Sequence, residues 1–295
     1  ADAVIKIEDT TIDGNDVLIF TPAKVGQHVR YAGEDVAQGA MVIPAGKQLG
    51  AAQVGMLARL GTEQVLVFQR PRIAIITTGN EIIGVGKPLG PGQIYDCNQY
   101  TLFGQCLNAG AIPSCVIRVN DDVEPIMAAI HSAGETSDAI ITSGGVSMGK
   151  YDHMKTALKR FADMAFWEVA IKPGKPFAYG HIAGIPLFAL PGNPVSSMVT
   201  FDLFARPALQ HMVGMSPDVE IVSARTPVLI KHTPGRTEFV RATTHWHEDG
   251  YVAIPTGDQS SGRLSSMLEA NSYIIIPENI ETILPDEQVQ VRFIQ

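Results

Sequence analysis

The chain is poor in cysteine and aromatic residues, and it has no apolar run long enough to cross a membrane. It contains 3 cysteines and 7% aromatic residues in 295 positions. Cys97, Cys106 and Cys115 form no Cys-x-x-Cys pair, so we expect small core residues and not metal ligands. A membrane-spanning helix needs about 20 apolar residues in succession. No such run and no secretory leader is visible, which predicts a cytoplasmic protein.

Basic residues are also in deficit. The chain carries 22 Lys and Arg residues against 30 Asp and Glu residues, a net charge of −8. This balance opposes binding to nucleic acid or to an anionic membrane through a broad basic face. An anionic small molecule must then be held by local amides and lysines. The hydrophobic content of 45% is ample for several cores, as expected for a chain longer than one average domain.

Apolar segments alternate with helical patterns in the middle of the chain. The segments typical of buried strands are residues 72–78, 115–119, 138–142 and 185–190. The candidate helices between and after them are residues 96–108, 122–132, 151–161 and 194–212. The alternation predicts an α/β fold with a central, open, mostly parallel sheet covered by helices.

Each predicted strand ends in small or polar residues. Ligands of such sheets bind outside the carboxyl ends of the strands. We therefore expect one cleft to collect Glu81, Asp121, the Ser143 to Ser147 loop, Asp152 and Asn193. The glycine-rich turn allows a ligand to approach the backbone closely, and a helix beginning near Tyr151 favours an anion, above all a phosphate.

A further polar element is the segment 166–177. Strand alternation places Glu168, Ala170 and Lys172 on one face, and Pro173 with Gly174 turns the chain so that Lys172 and Lys175 point toward one anion. Lysine is a compact point charge suited to phosphate and other oxyanions. The alternative is two solvated lysines that flank a turn, and the residues alone leave both interpretations open.

The rest of the chain divides into smaller units. Residues 1–39 are predicted to be β-rich, with turns at Gly33 and Gly39. Residues 40–70 hold a strand, a helix over 51–60 and a second strand over 64–68. Residues 71–219 form the α/β domain, and residues 220–295 a β barrel or sandwich. The sequence His245-Trp-His247 lacks further ligands at a diagnostic spacing, so we interpret it as a solvated strand face.

Six spaced motifs carry a family resemblance. They are Thr78-Gly-Asn-Glu81, Gly92-Gln-Ile-Tyr-Asp-Cys-Asn98, Asp121-Asp122, Ser143-Gly-Gly-Val-Ser147 with Asp152, Ile171-Lys-Pro-Gly-Lys-Pro-Phe177, and Leu190-Pro-Gly-Asn-Pro-Val-Ser196. Their order closely resembles the molybdopterin molybdotransferases, the MoeA and gephyrin E-domain family, over essentially the whole chain. The resemblance implies insertion of molybdate into molybdopterin, delivered in adenylylated form, with Mg²⁺ and release of AMP. It also implies a homodimer, with an adenylyltransferase of the same pathway as partner.

The resemblance also implies roles for individual residues. Glu81, Asp121 and Asp152 resemble acidic active-site residues and metal ligands, and Lys172 and Lys175 resemble catalytic lysines near the pterin phosphate or molybdate. The expected substrate-binding residues are Thr78, Gly79, Ser143, Gly144, Gly145, Ser147, Pro191, Gly192, Asn193, Arg241 and Ser261. Hard carboxylate oxygens suit Mg²⁺, which shares substrate phosphates. Each carboxylate has a structural alternative as a helix N-cap, Asp122 in particular.

The chain departs from the family pattern at two places. A Ser-x-x-Asn-Ser-Ala-Met-Asp-Gly-Tyr-Ala type motif is not found, so we interpret the chain as lacking the N-terminal part. The resemblance then implies that residues 1–39 are the remnant of the family's small β domain. Glu168 stands where the family commonly has lysine, which places a negative charge near the expected anion site. We expect Glu168 either to pair with Lys172 or to weaken the local field, with Lys150 as a compensating charge.

Two other functions remain open. The α/β domain also resembles the domain of CinA-like proteins, which are linked to nucleotide pyrophosphate cleavage, and a metal-loaded acidic cleft suits that reaction. A pterin-binding scaffold without catalysis is the second alternative. The C-terminal β domain and the Lys172-Pro-Gly-Lys175 element favour the transferase. Molybdate and tungstate are nearly isosteric, so the sequence does not distinguish them.

Overall fold

The computed structural model describes residues 1–146, 153–217 and 219–294. The chain forms two compact units, residues 1–64 and 65–295. Ser147, Lys150 and Asp152, which the sequence places in or near the site, lie outside the described residues. No helix in the described part of the chain is both long enough and apolar enough to cross a membrane.

The first unit contains one hairpin and one helix. Strands β1 (Thr10–Asp13) and β2 (Asp16–Ile19) pair antiparallel after a short 3₁₀ turn at Ile7–Asp9, and helix α1 spans Ala51–Arg59. The helix agrees with the prediction, but the strands predicted within residues 40–70 are wrong. Leu66, in the apolar run over 64–68, is fully exposed. That run has no partner strand among the described residues, and a β-rich sequence forms a strand only when another strand accepts its hydrogen bonds.

The central part of the second unit is a mixed sheet. Its strands and the short strands beside it are β3 (Arg72–Thr78), β4 (Ile82–Ile83), β5 (Ile94–Tyr95), β6 (Ile112–Val119), β7 (Ala139–Ser143), β8 (Asp163–Phe166), β9 (Ile171–Lys172), β10 (Ala178–Ile182) and β11 (Ile185–Leu190). The order is β6-β3-β7-β11-β10-β8, and the first four are mutually parallel. β3 and β11 have the predicted bounds. β6 begins earlier than predicted because Pro113 is tolerated on an edge strand.

Helices cover both faces of this sheet, as predicted. They are α2 (Asn98–Asn108), α3 (Val123–Gly134), α4 (His153–Phe161), α5 (Pro194–Thr200) and α6 (Arg206–Met212), with a π-helical turn at Phe201–Ala205 between the last two. The predicted helix over 194–212 is thus continuous but locally widened. Arg206 donates its backbone N–H to Phe201 O, five residues back. Pro207 follows directly, and its missing N–H is compatible with this altered ladder.

Period-two alternation assigns the sheet residues to two cores. Ala74 and Ile76 face α3 and α4 in one cluster, whereas Ile73 and Ile75 face α2 and the helices after β11 in the other. Both faces are therefore buried, as the near-continuous apolar strands predicted. Cys106 belongs to the second core, where burial raises the pKa of its thiol to about 12, in agreement with the expected structural role.

The C-terminal part is a closed barrel, which decides between the predicted barrel and sandwich. Its strands are β12 (Ile221–Arg225), β14 (Thr237–His247), β15 (Gly250–Pro255), β16 (Ser272–Ile276) and β18 (Gln288–Phe293), with β13 (Ile230–Lys231) and β17 (Thr282–Ile283) paired beside them and a 3₁₀ turn at Leu264–Met267. β15 pairs with both β12 and β14, which closes the barrel. The short strand β9 pairs in parallel with β14 and joins the barrel to the α/β region. His245 and His247 are exposed on β14, as expected.

Candidate active site

The polar ends of the parallel strands meet the barrel in a cleft of about 940 Å³. Of the residues predicted from the sequence, the cleft is lined by Thr78, Gly79, Glu81, Asp121, Ser143, Gly144, Gly145, Lys172, Lys175, Pro191, Gly192, Asn193 and Ser261. This follows from the parallel topology, because β3, β6, β7 and β11 all end at the same edge of the sheet. Arg241 is not among the lining residues, and the positions of Ser147 and Asp152 are not described.

The turn after β7 requires glycine at two successive positions. Gly144 and Gly145 have φ angles of +100° and +66°. A Cβ at Gly144 would lie 2.4 Å from Thr78 O, and one at Gly145 would lie 2.5 Å from the Met154 Cβ. Any side chain here would collide with the end of β3 or with α4. The two glycines therefore let the turn lie directly against the neighbouring elements and keep the cleft open.

Asn98 connects the loops that follow β7 and β11. Its amide donates to Ser143 Oγ at 2.9 Å and to Gly192 O at 2.7 Å, and Ser143 Oγ donates to Pro191 O at 3.1 Å. Sequence reasoning quoted Asn98 within a motif but gave it no role. Asn98 is a buried polar residue in the first turn of α2, and nothing in the neighbouring sequence indicates which groups its side chain will bond. Those partners are 45 and 94 positions away.

Two buried oxygen atoms in the cleft have no hydrogen-bond partner among the described residues. They are Thr78 Oγ1 and Asp121 Oδ1. Burial raises the pKa of Asp121, and the carboxylates of Glu81 and Asp122 raise it further, against an opposing effect of His153. Asp122 occupies the N-cap position of α3, but its side chain makes no capping hydrogen bond. The cleft thus contains a buried carboxylate oxygen that no described residue satisfies with a hydrogen bond.

The two cleft lysines are each paired with a glutamate, and the predicted pairing is wrong. Lys172 Nζ lies 2.9 Å from Glu238 Oε1, and Lys175 Nζ lies 3.3 Å from Glu168 Oε2. Glu168 was expected to share a strand face with Lys172. The strand is interrupted after β8 and resumes only at β9, so period-two alternation does not extend from Glu168 to Lys172. Glu168 therefore reaches the lysine beyond the turn.

The barrel supplies the opposite wall of the cleft. Asn193 Nδ2 donates to Ser261 Oγ at 2.9 Å, and the backbone N–H of Val195 donates to Ser261 O at 3.1 Å. Arg241 is fully buried behind this wall, where it donates to Ser266 Oγ, Asp258 O and Ser260 O at 3.1 to 3.3 Å. In this arrangement Arg241 holds the loop that carries Ser261.

Arg236 also lines the cleft, and the sequence analysis missed it. Among the described residues, Arg236 has no carboxylate within ion-pair distance, in contrast to Lys172 and Lys175. It follows Gly235, whose φ is +109°, and directly precedes β14. The only available signal was its place in the segment Gly235-Arg-Thr-Glu-Phe-Val-Arg241, five residues before Arg241. Arg236 lies just before β14, outside the alternating pattern of that strand, so the pattern does not indicate on which side its side chain lies.

No group of three His, Cys, Asp or Glu residues in the described ranges is arranged to hold a metal ion. Glu81 and Asp121 nevertheless share the cleft and interact electrostatically. Their hard oxygens, one of them buried and unpaired, fit a divalent ion that completes its coordination with water and substrate phosphate. Asp152 remains a prediction as a third ligand.

Comparisons with known proteins agree along the whole chain. Three family models match: "MoeA N-terminal region (domain I and II)" over residues 1–61, "Probable molybdopterin binding domain" over 74–211, and "MoeA C-terminal region (domain IV)" over 223–294. The molybdopterin molybdenumtransferase of Haemophilus influenzae is 33% identical over 301 residues, which cover 98% of this chain and 73% of the relative. Molybdopterin molybdenumtransferase 2 of Mycobacterium tuberculosis is 36% identical over 298 residues, with coverages of 99% and 73%.

A solved structure shows the same architecture. The crystal structure of the molybdopterin biosynthesis MoeA protein from Pyrococcus horikoshii has a TM-score of 0.81 and 32% sequence identity, and the match covers 99% of this chain and 72% of that one. The chain therefore belongs to the MoeA family, and the fold predicted from its sequence is confirmed.

Proposed function

We propose that this member of the MoeA family is a molybdopterin molybdotransferase that inserts molybdate into the dithiolene of adenylylated molybdopterin and releases AMP. The observation that carries the proposal is the convergence in one cleft of the Gly144-Gly145 turn, the Lys172-Pro-Gly-Lys175 element and the barrel loop with Ser261. The names of the relatives give the same reaction class.

The chemistry of the substrates suits these groups. The reaction joins two anions, a pterin phosphate and an oxyanion, which repel each other unless the site supplies positive charge and hydrogen-bond donors. Arg236 offers a guanidinium that has no carboxylate partner among the described residues, and Lys172 and Lys175 offer oriented ammonium groups. Two Mo–S bonds form as one oxo group leaves, and the two thiol protons depart with it as water. The protein contributes mainly by placing the two substrates next to each other.

We propose that Mg²⁺ assists the release of AMP, in which a water molecule adds to the phosphoanhydride bond and leaves the pterin phosphate and AMP as the two products. Glu81 and Asp121 would hold the ion, with Asp152 as the additional ligand predicted from the sequence. Bound there, the ion would supply positive charge to phosphate oxygens in the cleft. The support for this proposal is the unpaired Oδ1 of Asp121 and the absence of any ion-pair partner for it among the described residues.

The test is AMP release from adenylylated molybdopterin with and without molybdate. We expect release to depend on molybdate and Mg²⁺, and Asp121→Asn to lower the rate by an order of magnitude or more because it removes a ligand charge. Asp122→Asn is the matched control, since Asp122 is the adjacent carboxylate and does not line the cleft. Tungstate in place of molybdate tests the choice of oxyanion.

Other outcomes separate the alternatives. AMP release that does not respond to molybdate would favour a pyrophosphate hydrolase. Pterin binding without AMP release under any condition would favour a scaffold. Equal rates for Asp121→Asn and wild type would remove Asp121 from the catalytic residues.

The family resemblance supports two further proposals, a homodimer and an adenylyltransferase that supplies the substrate. The proposal of a cytoplasmic location rests on the composition of the sequence. The dimer is tested by the mass in solution from light scattering at micromolar concentration. A monomer at all concentrations would contradict it.

A further inference from the structure

Three polar side chains in contact with one another, His232, Glu238 and Lys172, lead from the interior of the barrel region to the cleft. His232 Nδ1 lies 2.7 Å from Glu238 Oε2, and Glu238 Oε1 lies 2.9 Å from Lys172 Nζ. The exposed fraction of the side chain is 0% for His232, 6% for Glu238 and 40% for Lys172. The exposed fraction thus rises from His232 through Glu238 to Lys172, and of these three side chains only Lys172 lines the cleft.

Strand pairing fixes the geometry of these three side chains. Glu238 and Lys172 are register partners across the parallel β14–β9 pair, and His232 follows β13 with its backbone N–H bonded to Glu281 O. Each carboxylate oxygen of Glu238 has its own partner, so the carboxylate cannot rotate without losing a hydrogen bond. Nε2 of His232 is buried without a partner in the described part of the chain. This favours the tautomer with its proton on Nδ1, which donates to Glu238.

We propose that Glu238, held by His232, is a positioning residue that fixes the ammonium of Lys172 and offsets its charge. Lys172 then offers directed N–H donors to an oxyanion in the cleft instead of a free, mobile charge. The identity of that oxyanion, a molybdate or a substrate phosphate, rests on the proposed function. We call the hold of Glu238 and His232 on the Lys172 ammonium the clamp. Its existence does not rest on the proposed function, because it follows from these three side chains alone.

The first experiment measures how reactive Lys172 is toward acetic anhydride, with peptide mapping by mass spectrometry. The reagent must reach the Nζ atom of the lysine, so an Nζ that is held against a carboxylate reacts slowly. We expect Glu238→Gln to increase the labelling rate of Lys172 several-fold, because the amide keeps the shape and removes the charge. The exposed Lys87 and the Glu168-paired Lys175 are internal references whose rates should not change.

His232 is tested in the same experiment. His232→Leu leaves Glu238 Oε2 without its donor, so the carboxylate is no longer held against Lys172, and labelling of Lys172 should rise. His232→Asn restores an N–H donor close to the position of Nδ1 and should return the rate toward that of wild type. A thermal melt of each variant confirms that it is folded before labelling.

The second experiment asks whether the clamp acts on ligand binding, which a purely structural ion pair would not do. Molybdate and, separately, inorganic phosphate are titrated into wild type and Glu238→Gln by calorimetry at 20 mM and 500 mM salt. At low salt we expect tighter oxyanion binding by the variant, because one negative charge is removed from beside the site. At 500 mM salt screening removes that gain, so the variant should bind the oxyanion several-fold more weakly than wild type, because its Lys172 ammonium is no longer positioned.

The outcomes are distinguishable. An unchanged labelling rate of Lys172 in Glu238→Gln would overturn the clamp. Faster labelling with unchanged oxyanion affinity and salt dependence would reduce it to a structural pair and overturn the positioning role. If wild type binds neither oxyanion, the result counts against the proposed function, and the labelling rates still decide whether the clamp exists.

Discussion

Asn98 offers the sharpest test of how the cleft is held together. Asn98→Ala removes two hydrogen bonds, to Ser143 Oγ at 2.9 Å and to Gly192 O at 2.7 Å, from a side chain that is 9% exposed. The lost bond to Ser143 costs about 1 kcal/mol, and the carbonyl left without a donor costs about 1 to 3 kcal/mol. We therefore expect the free energy of unfolding to fall by about 2 to 4 kcal/mol.

The assay is thermal and urea unfolding of wild type and variant under identical conditions. For a unit of this size, 1 kcal/mol corresponds to about 2 to 4 °C, so a loss of about 3 kcal/mol lowers Tm by about 6 to 12 °C. Asn108→Ala is the matched control, because Asn108 is the exposed last residue of the same helix. Its Tm should change by less than about 2 °C.

The functional consequence can be measured separately. Asn98 joins the loop after β7 to the loop after β11, so its loss should weaken binding of a phosphate-bearing pterin even at temperatures where the variant is folded. Asn98→Asp is the more severe change, since a carboxylate oxygen would then lie against Gly192 O. A Tm within 2 °C of wild type for Asn98→Ala, together with unchanged ligand affinity, would refute the reasoning.

Three further predictions concern charged groups. Burial raises the pKa of Asp121 in the folded state, so above that pKa its ionisation destabilises the fold. Asp121→Asn should therefore be more stable than wild type at pH 7, by less than about 1 kcal/mol after solvent screening. The urea midpoints of the two proteins should converge as the pH falls toward 4. Arg241→Lys should lower Tm and loosen the Ser261 loop, seen as faster amide exchange there, because one ammonium cannot replace three directed donors. Glu168→Gln should change stability by at most about 1 kcal/mol, since its ion pair with Lys175 is half-exposed, but should tighten molybdate binding at low salt; equal titrations would contradict this.

The fold of this chain was predictable where periodicity and topology act together. β3 and β11 are apolar on both faces, which only a strand buried between two helical layers explains, and their bounds match the prediction. The same reasoning failed at residues 64–68. That segment has a strand-like composition, but composition does not provide a partner strand, and Leu66 remains exposed.

The content of the cleft was predictable for a related reason. Parallel strands bring their carboxyl ends to one edge whatever the lengths of the connections, so Glu81, Ser143 and Asn193 meet although they are distant in sequence. No such rule exists for the residues that the barrel contributes. Arg236 lies beside the short β9–β14 pairing, and Ser261 is held at the cleft by hydrogen bonds with Asn193 and Val195. Neither contact leaves a pattern in the sequence, and Ser261 was expected only from the family resemblance.

Pairing between charged side chains was the least predictable feature, and Glu168 shows why. Alternation along a strand predicts a shared face only while the strand continues, and here it stops between β8 and β9. Lys172 is instead paired with Glu238, its register partner on β14, and Lys175 is left for Glu168. Both cleft lysines are thereby matched by a carboxylate. It follows that Glu168 acts on the anion site through Lys175, so exchanging Glu168 should alter oxyanion binding even when Lys172 remains clamped by Glu238.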